Sequence, residues 1–99
     1  MARQFDLFRL ASGEYALVVQ TDLLDDMATR TVCLAIPETD KPPTIAALSP
    51  VISNGDLRLR LAPYALATVS LAELESFVAN FAHDRDRIIR AFDVLLTGI

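Results

Sequence analysis

Few side chains in this sequence carry reactive chemistry, and their spacing limits what they can do. His83 is the single histidine and Cys33 the single cysteine. Nucleophilic catalysis needs a serine or cysteine beside a base that a third group orients, and no recognisable arrangement of that kind surrounds His83. As the only histidine near a helix start it reads as a solvated residue. Cys33 cannot form an internal disulfide, and no second thiol is present for a metal site, so it reads as a small buried strand residue. Asp22, Asp25 and Asp26 place three carboxylates together, but their spacing matches no calcium loop. With only Gly13, Gly55 and Gly98 there is no glycine-rich loop to cradle a phosphate. Arg58 and Arg60 alternate with leucines and read as the solvent face of a hairpin. These residues predict no catalytic site, no metal and no cofactor. The expected business of the chain is interaction, not catalysis.

Composition points the same way. The 99 residues fit a single domain with a thin core, and 53% of them are apolar. That share is high for a soluble domain of this size, so an apolar surface and a homodimer partner are expected. The formal charge of −4 opposes phosphate-driven binding of nucleic acid, which needs a basic face. No segment approaches the roughly 18 apolar residues of a bilayer span, and Arg3, Gln4, Asp6 and Arg9 interrupt the place of a signal-peptide core. A cytoplasmic protein away from membranes is expected, consistent with the lone thiol.

The elements that would position an interaction face follow from the patterning. Gln4 to Leu10 reads as a strand with Phe5 and Leu7 on one face and Phe8 breaking the alternation. Ser12-Gly13 turns the chain into a second strand, Tyr15 to Thr21, rich in β-formers. Asp22-Leu23-Leu24-Asp25-Asp26 is an exposed connection holding two leucines between acids. Thr29 to Ile36 is a third strand, closed by Pro37, and Glu38 to Pro43 is a polar loop too short for a domain linker. Thr44 to Leu48 suits one helical turn. Val51 to Leu61 predicts a β-hairpin with Asn54-Gly55 as its two-residue turn, ended by Pro63. Leu66 to Leu71 suits a further strand. Glu73 to Asn80 is ambiguous, with Asn80 an N-cap for a separate final helix.

That final helix, from Phe81 toward Ile99, carries Phe81, Ile88, Phe92 and Leu95 on one stripe, bordered by Ile89 and Leu96. Asp86, Arg90, Asp93 and Thr97 fall opposite, with Asp86 and Arg90 spaced for an ion pair. Gly98 would stop the helix at positive φ and leave the apolar Ile99 beyond it.

Three blocks in order, Val19-Gln20-Thr21-Asp22-Leu23-Leu24-Asp25, then Leu48-Ser49-Pro50-Val51 with Gly55-Asp56 behind it, and Ile88 to Ile99 with its Gly-Ile ending, resemble the CcdB family of toxins. The resemblance spans the chain as one domain, residues 1–99. It implies a mainly β fold, an SH3-like antiparallel barrel of the CcdB/Kid/MazF type with a C-terminal α-helix, assembled as a homodimer. It also implies a toxin of a type II toxin–antitoxin system, not an enzyme. Such a toxin binds the A subunit of DNA gyrase, traps the cleaved-DNA complex and is neutralised by a CcdA-like antitoxin. Carried over by position, the gyrase contact falls on Thr97, Gly98 and Ile99, with Asp93 and Leu96 behind them and Leu23 and Leu24 near. The best-known family form has tryptophan at the Thr97 position and asparagine at the Asp93 position. The indole lost at 97 could stack on an arginine, whereas Asp93 offers a carboxylate for a bidentate pair.

Two alternatives remain at this level. The same fold group contains endoribonuclease toxins, which would need a basic groove and an acid–base set. A non-toxic interaction module, a degenerate toxin, is the other.

Overall fold

The structure, a computed structural model, describes residues 2–38 and 46–98. The expected loop over 39–43, the first part of the turn at 44–45, and Ile99 lie outside the described residues. Six antiparallel strands form one sheet: β1 (Asp6–Leu10), β2 (Tyr15–Val18), β3 (Thr29–Pro37), β4 (Val51–Asn54), β5 (Leu57–Ser70) and β6 (Leu74–Asn80). They stand in the order β4-β5-β3-β2-β1-β6, and an α-helix, α1, runs over Arg85–Thr97. The expected antiparallel barrel with a C-terminal helix is present as a curled half-barrel. Glu73 to Asn80, ambiguous in sequence, is resolved as strand β6 from Leu74, paired with β1.

Alternation along the strands supplies two apolar faces. Leu7, Leu17, Cys33, Leu59 and Leu61 join Phe81 and Ile88 of the terminal segment in the larger core, while Phe8, Ala16, Val18 and Val32 pack with Ala2 and Leu74 on the other face. Phe8 therefore keeps the period of its strand, contrary to the expectation from sequence. It looked irregular only because both faces of β1 are covered. Its ring meets Phe77 edge-on, with centroids 5.7 Å apart.

Two corrections concern β5. The hairpin forms, but Asn54 pairs with Leu57, so Gly55-Asp56 makes the two-residue turn instead of Asn54-Gly55. Only Gly55 of these has positive φ (61°), which suits a turn that demands glycine at its first central position. Pro63 does not end the strand. β5 runs on to Ser70 because Leu34 pairs with Ala62 while Cys33 pairs with Leu66, leaving Pro63, Tyr64 and Ala65 in a bulge. A proline there costs no ladder hydrogen bond, since the ladder is interrupted.

The two ends of the sheet are tied together by side chains. Asn54 Nδ2 donates to the Asn80 carbonyl at 2.9 Å, and Ser53 N–H donates to Asp84 Oδ2 at 3.1 Å. His83 Nε2 lies 2.6 Å from the Ser53 carbonyl, so its N–H closes the same seam. The imidazole is exposed, as its sequence position suggested, and this one bond ties it to β4. Asn80 Oδ1 accepts from Ala82 N–H at 2.8 Å at the entry to the short 3₁₀ turn Ala82–Asp84, whose N-cap is Phe81, and the N-cap of α1 is Asp84, so Asn80 is not the expected cap. The predicted helix therefore starts at Arg85, and Phe81 reaches the core from before it. Asp86 and Arg90 make no ion pair among the described residues; Arg87 instead approaches Asp84 at 3.6 Å.

Candidate functional site

The helix end is built by burial on one side and a backbone stop on the other. Ile88 and Ala91 are buried and Phe92 is half-buried against the core, while Asp93 faces solvent. Leu96 is 76% exposed. Gly98 adopts the left-handed conformation (φ 79°, ψ 10°) and donates its N–H to the Val94 carbonyl at 2.9 Å, as expected of a helix stop. Thr97 is exposed, and its Oγ1 donates to the Asp93 carbonyl at 2.6 Å, which fixes the hydroxyl on the helix. The structure thus brings Asp93, Leu96, Thr97 and Gly98 to one exposed end, and Ile99 lies outside the described residues.

Leu23 and Leu24 occupy a separate 3₁₀ turn, Asp22–Leu24, opened by Thr21 Oγ1, which accepts from Leu23 N–H at 3.3 Å. Leu23 is 89% exposed. Asp22 lies with Gln4, Asn80 and Ala82, accepting from Gln4 N–H at 2.8 Å. That is the start of the terminal segment. Thirteen helical residues advance about 20 Å at 1.5 Å each, so the leucine pair and Gly98 stand at opposite ends of the helix within one chain.

Arg30 positions the leucine turn, and nothing in the sequence patterning singled it out. The side chain is 2% exposed, and it is satisfied by carbonyls instead of a carboxylate. Nε donates to Ala2 O at 3.0 Å, Nη1 to Met27 O and Thr29 O at 2.8 and 2.9 Å, and Nη2 to Asp25 O at 3.1 Å. A buried charge is tolerated when its donors are spent in this way. The available signal was phase: Arg30 shares the inward period of Val32 in β3.

The groups with reactive potential are occupied elsewhere. Cys33 is fully buried, and burial pushes its thiol from 9.0 up to about 12, so no thiolate forms near neutrality. Among the described residues no three of His, Cys, Asp and Glu gather to hold a metal ion. Arg58 is exposed and pairs with Glu38 at 2.9 Å, as a hairpin's solvent face should. Arg60 departs from that reading. It is half-buried, and its Nη1 donates to the Ser49 carbonyl at 2.6 Å.

A family model described as CcdB protein matches residues 4–98. The chain belongs to the CcdB family. No curated protein matches it. Solved structures share the CcdB-family chain's fold at low identity. One is an endoribonuclease from a Mycobacterial species, 12% identical with a TM-score of 0.80, covering 95% of this chain and 89% of that one. Another is an endoribonuclease in complex with its cognate antitoxin, also Mycobacterial, 16% identical with a TM-score of 0.81, covering 97% and 95%. No helix of the described residues is long and apolar enough to cross a membrane.

Proposed function

We propose that this CcdB-family chain is the toxin of a toxin–antitoxin module and acts by binding the A subunit of DNA gyrase, as a homodimer in the cytoplasm, without catalysis of its own. The observation that carries the reading is the terminal helix, which displays Asp93, Leu96 and Thr97 to solvent and stops at Gly98. A surface of this kind recruits a partner by burying a leucine and pairing a carboxylate. Leu95, half-buried beside it, supplies apolar area for an isologous two-fold contact. An antitoxin partner is supported by the family and by the fold neighbour that holds its cognate antitoxin.

RNA cleavage is the second reading, favoured because both fold neighbours are named endoribonucleases. Against it stand the engaged imidazole of His83 and the buried, protonated Cys33. The test is a gyrase supercoiling assay with detection of cleaved DNA, run beside the toxin with RNA alone. Gyrase-dependent linear DNA and intact RNA support the proposal. Cut RNA without gyrase, and unimpaired supercoiling, would replace it with the second reading.

A further inference from the structure

An unassigned cleft of about 380 Å³ opens between α1 and the hairpin. Its floor is Ala46, Ala47, Pro50 and Val51, and its rim is Arg60, Arg87 and Arg90. The floor is anchored, not loose. Ser49 Oγ donates to the Leu61 carbonyl at 2.6 Å, and Leu61 N–H donates to the Pro50 carbonyl at 2.9 Å, which pins this segment on β5. The 3₁₀ turn Ala46–Leu48 packs against α1 from the other side.

The rim concentrates positive charge on a chain whose formal charge is −4. Arg90 is exposed and makes no ion pair among the described residues. Among the described residues Arg87 has only the longer approach to Asp84, whose other oxygen is already taken by Ser53. Arg60 also meets no carboxylate among the described residues, and its Nε is buried there without a hydrogen-bond partner. That nitrogen is closed to solvent, so the donors the cleft opens to a ligand are chiefly those of the exposed Arg87 and Arg90.

We infer that this cleft is a docking site for an acidic peptide segment of a partner chain, with one apolar side chain seated on the alanine, proline and valine floor and flanking carboxylates on Arg87 and Arg90. Charge complementarity selects the carboxylates, since a guanidinium offers paired donors to them. The apolar floor selects a peptide over a nucleic acid, because among the described residues no aromatic ring lines the cleft on which a base would stack. The inference does not depend on gyrase being the target.

The test is a titration of the isotope-labelled full chain, followed by amide NMR, with three probes. These are an amidated peptide of two leucines flanked by glutamates, the same peptide with lysines, and a uridine oligonucleotide. The glutamate peptide should shift the amides of Ala46, Ala47, Val51 and Arg87 saturably, at least tenfold more tightly than the lysine peptide, and should weaken with added salt. Arg90→Glu breaks no ion pair among the described residues, so it should keep the melting temperature and lose at least tenfold in affinity; the double variant Arg87→Gln/Arg90→Gln, which gives up only the exposed approach of Arg87 to Asp84, should lose as much affinity. The inference is overturned by unsaturable shifts, by shifts centred on Leu96 to Gly98, by unchanged affinity in the variants, or by tighter binding of the oligonucleotide at these amides.

Discussion

Replacing Leu96 with alanine separates a binding role from a folding role. A fully buried leucine contributes about 1.5–3 kcal/mol. Leu96 is 76% exposed in the free chain, so about three quarters of that gain is available only to a partner. Leu96→Ala should therefore weaken gyrase binding by about 1–2 kcal/mol, roughly 5- to 30-fold. The quarter already buried is worth less than about 0.7 kcal/mol to the fold, and alanine's better helix propensity offsets part of it. The melting temperature should stay within a few degrees. Ile88→Ala is the contrast, because Ile88 is fully buried; it should cost about 2–5 kcal/mol and abolish activity by unfolding. Inhibition of supercoiling would be titrated with both variants, with sedimentation at the same concentrations. Wild-type potency for Leu96→Ala would refute the helix-end contact. A dissociated Leu96→Ala would refute it differently, by showing that the side chain serves the dimer.

Two further perturbations test the supports of the site. Arg30→Met leaves the carbonyls of Ala2, Asp25, Met27 and Thr29 without their donor, so urea unfolding should show a loss of about 2–4 kcal/mol, with faster amide exchange over the Leu23-Leu24 turn; an unchanged midpoint would mean the clamp is incidental. Cys33 has its thiol pushed from 9.0 up to about 12 in the folded chain. Below pH 9 both states hold the proton, so nothing changes there. Between pH 9 and 12 only the unfolded chain releases it, and stability should fall by about 1.4 kcal/mol per pH unit. Cys33→Ala should lack that component; the same alkaline slope in both proteins would contradict the burial argument.

Local chemistry was legible in the sequence. Gly55 and Gly98 announced the hairpin turn and the helix stop because positive φ is a property of one residue and its neighbours. The β-formers of Tyr15 to Thr21 announced a strand, the alternation of leucine and arginine announced the second arm of the hairpin, and the want of a second thiol announced Cys33 as a core residue. The order of the three blocks announced the family. The turn register slipped by one because asparagine and aspartate flank Gly55 and either suits a turn; pairing across the whole of β5 decided between them.

Groups whose partners are distant in sequence were not legible. Asn80 and Asp6, joined at 2.9 Å, are 74 positions apart, and Asp84 and Ser53 are 31 apart. Pairing of β1 with β6 joins the first two, and only the curl of the sheet brings Ser53 of β4 to His83 and Asp84. Pro63 read as a terminator because a proline breaks a regular ladder, and only the bulge opposite Cys33 and Leu34 removes the ladder bond it would have broken. Arg60 alternates like Arg58, yet one side chain reaches Glu38 in solvent and the other rims a cleft against α1. Residue order alone set which positions prefer strand, turn, helix end and core, since those preferences act within a few residues. Which polar groups were spent on the fold and which were left to a partner emerged only from tertiary contacts, because a hydrogen bond or a cleft needs two segments at once.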